Sequence, residues 1–220
     1  MTKTILKYKD LLLNVKSIYK SVKYTSKTVP APFIAAIEEE LSFAEKNFEA
    51  KYDIIIIEKF KIDRVLLINK YRFDIGQELV EILKNSEKLA LFICTAGESI
   101  SIRNRYLIKN EYLLEAYAND IIANLIVEKT ADYILKNIKS QHGNTSNRYS
   151  PGNCGWHTLN QRDFFALFPS IKSGISLTDT QMMHPVKSLN GIIGIGKNTI
   201  HRPSNCNTCS SKNCVYRKNH

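Results

Sequence analysis

Apolar residues recur at three-to-four spacing from Phe33 to Phe48: Phe33, Ile34, Ile37, Leu41, Ala44 and Phe48, with Glu38, Glu39, Glu40, Glu45 and Lys46 between them. That spacing predicts an amphipathic helix, entered after Val29-Pro30-Ala31-Pro32. Upstream, residues 4–24 mix apolar and basic positions loosely, and Ile5, Leu12, Val15, Ile18, Tyr19 and Val22 are compatible with a helix. Downstream, Tyr52–Ile57 and Arg64–Ile68 are short β-branched or apolar runs bounded by charge, the mark of strands. Gly76 opens a helix reaching about Leu83. Leu89–Thr95 is a third strand, ending at Ala96-Gly97, and a helix carrying Arg103 and Arg105 starts at Glu98.

The longest helical pattern runs from about Glu111 to Ile138. One stripe reads Leu114, Ala118, Ile121, Leu125, Glu128, Asp132 and Leu135, so two carboxylates fall on an otherwise apolar face. Gln141–Asn147 is a polar stop. A short helix over Leu159–Phe168 ends before Pro169, Ile175–Thr178 reads as a strand, and Met182–Pro185 as a turn. Ser188–Gly196 reads as a buried strand with glycines at close approaches. The elements do not alternate regularly, which favours an α+β class over a doubly wound sheet. The expected organisation is a basic segment over 1–28, one domain over 29–197, and a cysteine-bearing basic tail over 198–220.

Between the stop and the short helix lies Arg148-Tyr149-Ser150-Pro151-Gly152-Asn153-Cys154-Gly155-Trp156-His157, which holds the only tryptophan. Pro-Gly and Cys-Gly are turn dipeptides, so this run is expected to be a structured loop, neither strand nor helix. Its plain reading is a tight turn over a buried Trp. Its functional reading is a ligand loop, since glycine admits close backbone approach and arginine offers a planar fork for carboxylate or phosphate.

Charge narrows the partners. The net charge is 31 − 21 = +10 over 220 residues. Residues 1–28 carry seven lysines and one acid, and from Thr180 onward there are six Lys or Arg and no acid. Such a surface suits a phosphate-bearing cofactor or an acidic protein partner. No nucleic-acid recognition motif accompanies the charge, so no nucleic-acid partner is expected. The apolar run Leu11–Leu13 is cut by Lys9, Asp10 and Asn14, and no stretch approaches the roughly 20 apolar residues of a membrane span. Neither a signal peptide nor a membrane is expected, and the cytoplasm is the default.

Five cysteines do not read as a disulfide scaffold. Three are close together, as Cys206-x2-Cys209-x4-Cys214, and thiols so spaced can chelate one metal. Cys154 or a histidine such as His201 would complete four ligands. Zinc and an iron–sulfur cluster both fit the ligand type, and the plain alternative is a tail of reduced thiols. Cys94 lies in an apolar strand and reads as core. Glu128 is either a partly exposed helix residue or a partly buried carboxylate for a cationic or hydroxyl-bearing ligand. Thr178-Asp179 reads as a capping element, and His184 before Pro185 as a base, a metal ligand or neither. Gly194-x-Gly196 lacks the third glycine and the helix of a dinucleotide fingerprint.

Taken together, Arg148-Tyr-Ser-Pro-Gly152, Ser176-Leu-Thr178-Asp179, Met182–Pro185 and Ser188-x-x-Gly191 resemble, in order and spacing, the activation domain of cobalamin-dependent methionine synthase. The resemblance covers roughly residues 70–196, with a weaker likeness back to Pro30. It implies a single α+β domain with a mainly antiparallel twisted sheet and flanking helices. It also implies S-adenosylmethionine binding and methyl transfer to a corrinoid whose cobalt has oxidised to the inactive cob(II) state, with one electron from a donor protein. Arg148 would pair with the methionine carboxylate, Ser150 and Gly152 would give backbone contacts, and Glu128 matches an acid on the long helix that reaches the ligand. Asn153 stands where the family has tyrosine, and Ile192 and Ile193 stand near where the long enzymes carry aromatics. The folate, methyltransferase and corrinoid modules of those enzymes do not fit in 220 residues. The cobalamin is therefore expected on a separate corrinoid-binding protein or cobalamin-dependent methyltransferase. The cysteine tail resembles that of short stand-alone relatives, and a cluster there would supply the electron. The competing expectation is a non-catalytic, metal-stabilised adaptor for a corrinoid protein.

Overall fold

In the computed structural model, residues 4–11, 13–21, 29–152, 154–199 and 201–202 are described. Asn153, Cys206, Cys209 and Cys214 lie outside the described residues. The chain enters through strand β1 (Thr4–Ile5), a 3-10 turn (Tyr8–Leu11) and helix α1 (Val15–Ser21). The one helix expected over 4–24 is thus in pieces. Asn14 explains the break: its side chain accepts from the Ser17 amide at 2.9 Å while the Asn14 amide donates to Ser17 Oγ at 3.3 Å. This reciprocal cap starts a new helix at Val15.

Helix α2 (Ala31–Lys46) follows, with Pro30 at its N-cap and a proline in its first turn, where a missing amide costs no helical bond. Strand β2 (Lys51–Ile57) leads to a small antiparallel sheet of β3 (Lys61–Ile62), β4 (Leu66–Ile68) and β5 (Tyr71–Phe73). The strand expected over Arg64–Ile68 is confined to its last three residues, and its two partners were not expected. Then come α3 (Gln77–Leu83), β6 (Lys88–Thr95), α4 (Glu98–Lys109), α5 (Leu113–His142) and β7 (Thr145–Tyr149). A 3-10 turn (Thr158–Asn160) runs into α6 (Gln161–Ala166), and β8 (Ser176–Leu177), β9 (Met183–His184) and β10 (Ser188–Ile195) complete the described chain.

The main sheet has the order β1-β2-β6-β10-β7. β1 pairs antiparallel with β2, and β10 with β7. β6 and β10 also run antiparallel, because Ala96 donates to the Lys187 carbonyl near one end and Glu87 to Ile195 near the other. The expected α+β class, with antiparallel sheets and flanking helices, is what forms. By packing, the chain divides into two compact units, each of three separated segments.

The first unit holds residues 1–53, 93–133 and 171–189. Phe33, Ile37 and Ala44 of α2 and Ile100 and Leu107 of α4 are buried there. So is Glu40, which interrupts the apolar face of α2. Its carboxylate accepts from Arg103 Nη2 at 2.6 Å and from Asn119 Nδ2 at 2.9 Å. Buried Asp53 accepts from the Ser173 amide at 2.9 Å and the Lys172 amide at 3.1 Å, holding that turn to β2. Met183-His184, expected as turn, pairs with β8 instead, in the register Ser176↔His184 and Leu177↔Met183. Thr178 caps no helix: its hydroxyl accepts from the Met182 amide at 3.1 Å and closes this ribbon.

The second unit holds residues 54–92, 134–170 and 190–220. The Trp156 and Phe164 rings pack tilted against each other with centroids 5.9 Å apart, as do those of Phe164 and Phe168, forming an aromatic core with the short helix. Gly191 shows why β10 carries glycines: a Cβ there would lie 2.5 Å from the Tyr149 carbonyl and 2.8 Å from the Phe92 ring. Cys94, in β6 of the first unit, is fully buried, as expected.

Candidate functional site

Arg148 and Tyr149 were expected in a loop. They are instead the last two residues of β7, an edge strand paired with β10 in the register Arg148↔Ile193 and Tyr149↔Ile192. Polar sequence hid the strand. Thr145, Ser146 and Asn147 carry no apolar alternation, and the side chains of Ser146 and Asn147 make specific bonds instead. The register slips between Ile193 and Ile195, and there Ser146 Oγ accepts from the Gly194 amide at 2.8 Å. A serine thereby satisfies a donor displaced by the bulge. Asn147 grips the main chain of Arg202 from both sides, donating to its carbonyl and accepting from its amide, each at 2.8 Å.

At the end of the strand, Ser150 is buried and the chain turns through Pro151 and Gly152. Gly152 has φ +95°, Cys154 +50° and Gly155 +80°, and the Gly152 amide donates to the Trp156 carbonyl at 2.7 Å. This hydrogen bond closes the turn over buried Trp156. Gly152 itself is exposed, and nothing lies within 4 Å of where its Cβ would be. A ligand can therefore approach this backbone closely. On the inner side Gly76, the N-cap of α3, abuts the turn, and a Cβ on it would strike the Cys154 carbonyl.

Electrostatics mark the same place. The Tyr149 hydroxyl is pushed up to about 12, chiefly by burial, with the negative charges of Cys154 and Glu78 adding to the shift and Arg202 opposing it. Arg202 Nη1 lies 3.3 Å from Glu78 Oε1 in the first turn of α3. Strand end, turn, helix start and the last described residue thus share one charged neighbourhood.

Of the residues singled out from the sequence, Arg148, Ser150, Gly152 and Cys154 fall together on this strand-to-turn segment. Glu128 lies on α5 in the first unit and is exposed rather than partly buried. The buried ridge of α5 runs instead through residues such as Asn119, Ile122, Ile126, Thr130 and Ile134. Apolar residues cover more than one face of this helix, so its sequence allows more than one stripe. A second polar feature escaped the sequence reading. In the first unit a cleft of about 310 Å³ is lined by residues including Glu49, Thr95, Glu98, Ser173 and His184. His184 Nε2 lies 3.0 Å from Glu98 Oε2 there. No spacing in the sequence links these residues, since they come from four separate segments. Among the described residues, no three His, Cys, Asp or Glu side chains are placed to hold a metal ion. Among those residues also, no helix is long and apolar enough to cross a membrane.

No protein-family model matches the sequence, and no curated protein does. Solved structures do match. The crystal structure of the MetH reactivation domain bound to AdoHcy aligns with a TM-score of 0.68 at 11% identity, covering 91% of this chain and 80% of that one. Identity that low speaks to architecture and not to chemistry. The chain therefore has the fold of the MetH reactivation domain.

Proposed function

We propose that this protein binds S-adenosylmethionine and supports reductive methylation of a corrinoid carried by a separate protein. The observation that carries the reading is the Arg148–Gly152 turn at the end of an edge strand, in a chain with the fold of a domain crystallised with AdoHcy. In this reading the Arg148 guanidinium pairs with the methionine carboxylate through its planar fork. Ser150 and Gly152 present main-chain groups, and Asn153 occupies the position after the glycine. No side chain needs to act as acid or base, because the sulfonium is already an activated methyl donor. The protein's task is to hold that methyl group in line with the reduced cobalt of the partner. One electron, from a donor protein, takes cob(II) to the nucleophilic state. Transfer of the methyl group then releases S-adenosylhomocysteine. Partners of this kind are a corrinoid-binding protein or a cobalamin-dependent methyltransferase.

Calorimetry with S-adenosylmethionine tests the first half. Wild type is expected to bind. Arg148→Ala, which removes a charged hydrogen-bonded pair of about 1.5–3 kcal/mol, is expected to weaken binding roughly tenfold to hundredfold. No heat from wild type at high protein concentration ends this reading. Capture of a corrinoid protein without S-adenosylmethionine binding would favour the adaptor instead. Glu128→Gln is a separate arm: an unchanged titration removes Glu128 from the ligand contacts. The second half is read by electron paramagnetic resonance. The cob(II) signal of a corrinoid partner should disappear only with protein, S-adenosylmethionine and a low-potential reductant all present.

A further inference from the structure

Among the described residues, thirteen large apolar side chains are exposed, and seven of them fall between Ile102 and Tyr117 of the first unit. Such crowding is a patch, unlike the single exposed apolar residues that any surface carries. Helix α4 is apolar on two sides. Ile100 and Leu107 are buried, while Ile102, Tyr106 and Ile108 are each more than half exposed. The chain then turns through Tyr112 into α5, whose first turns present Leu113, Leu114 and Tyr117. Hydrogen bonds fix this hairpin. Asn104 Nδ2 donates to the Ala116 carbonyl at 2.8 Å, and the Tyr112 amide donates to the Leu107 carbonyl at 2.9 Å. Phe33 backs the Tyr117 ring, stacked on it at 5.7 Å. The fold therefore sets the patch in advance, and covering it costs little ordering.

We propose that this face joins two copies of the chain in an isologous dimer. Charge selects the occupant. The margin of the patch carries Arg105 and Lys109 on α4, and Glu111 and Glu115 at the turn and the start of α5. These four sum to 2 − 2 = 0, in a chain of net charge +10. Arg105 also reaches Glu98 at 3.1 Å, and nearby Arg103 is bound by Glu39 and Glu40, so the margin has no positive excess. An acidic protein or an anionic lipid surface would meet no net attraction here. A second copy brings the same apolar centre and both signs of charge. A two-fold axis through the patch can set the basic margin of one copy against the acidic margin of the other, the self-complementarity that an isologous contact needs. Seven large, roughly half-exposed side chains offer on the order of several hundred Å² of apolar surface, approaching the roughly 800 Å² that each partner gives to a standard interface. The assignment does not depend on S-adenosylmethionine binding.

The test uses the full chain with its thiols kept reduced, in sedimentation velocity across protein concentration and salt. Wild type should pass from monomer to dimer as concentration rises. Added salt should leave the dimer intact or tighten it, because screening relieves repulsion between two copies of charge +10. Leu113→Glu, at a side chain 66% exposed, should raise the dimer dissociation constant at least tenfold with circular dichroism unchanged. Lys109→Glu should weaken the dimer severalfold. Adding Glu115→Lys should restore it, since the exchanged margins are again complementary. Hydroxyl-radical labelling of wild type removes any dependence on how variants fold. Tyr106 and Tyr112 should become protected as the protein is concentrated. The proposal is overturned if wild type stays monomeric up to roughly 100 µM, or if its dimer is indifferent to Leu113→Glu. It is equally overturned if the dimer dissociates as salt rises, or if both tyrosines label equally at low and high concentration. Protection that appears only on adding an acidic corrinoid protein would give the face to that partner and overturn the dimer.

Discussion

Two glycines, one in the turn and one packed against it, make separate demands on its geometry. Gly76 has φ +74° and no room for a Cβ against the Cys154 carbonyl. Gly76→Ala should therefore cost about 2 kcal/mol or more, the left-handed penalty plus a backbone clash, as read by denaturant midpoint. Gly152→Ala meets no clash, so only the backbone penalty of about 1–2 kcal/mol is expected there. Tyr149 provides a pH signature. Its folded value, about 12, lies above the model-peptide 10, so the folded state holds this proton more tightly. The associated stability, about 2 kcal/mol, is complete below pH 10 and is lost as pH rises toward 12. Chemical unfolding at both ends of that window should show this part of the alkaline loss in wild type and not in Tyr149→Phe.

At the level of elements, an ion pair joins α2 to α4 inside the first unit, and a hydrogen bond from Asn119 adds α5. Glu40 is wholly buried, and Arg103 binds it while also lying 5.1 Å over the Phe43 ring. Arg103→Met should cost about 3–5 kcal/mol in urea unfolding, because it leaves a buried carboxylate without its counter-charge. Glu39, also paired with Arg103 but largely exposed, should change stability by less than about 1 kcal/mol when replaced by alanine. The helical period of α2 was legible. The buried role of Glu40 was not, since Glu38, Glu39 and Glu40 look alike until Arg103 and Asn119 are brought against one of them. β7 teaches the same lesson. Its polar residues read as loop, and it is a strand because β10 offers an edge and Ser146 and Asn147 bond to main chain.

For the molecule as a whole, binding must register in global stability. A ligand that binds only the folded chain stabilises it by about 2.7 kcal/mol at a hundredfold excess over its dissociation constant. For a chain of 220 residues this raises the melting temperature by roughly 5–10 °C. S-adenosylmethionine and S-adenosylhomocysteine should both produce such a shift in calorimetric scans if the proposed site is correct, and Arg148→Ala should remove most of it. The net charge of +10 adds an expectation for the partner: association with an acidic corrinoid protein should weaken as salt rises.

What the sequence determined by itself was the kind of elements and their order. Periodicity placed α2, α3, α4, α5, β2, β6 and β10, because an amphipathic face or a buried strand writes its period into the chain. The spacing of Arg148, Gly152 and the later motifs also pointed to the architecture that the solved MetH reactivation domain shares at 11% identity. Only the tertiary structure decided which faces are buried and which polar residues act. It exposed Glu128, buried Glu40, made a strand of Thr145–Tyr149, and tied Arg202 to Asn147 of that strand. These outcomes depend on what a side chain meets across long sequence separations, and local pattern carries no record of that.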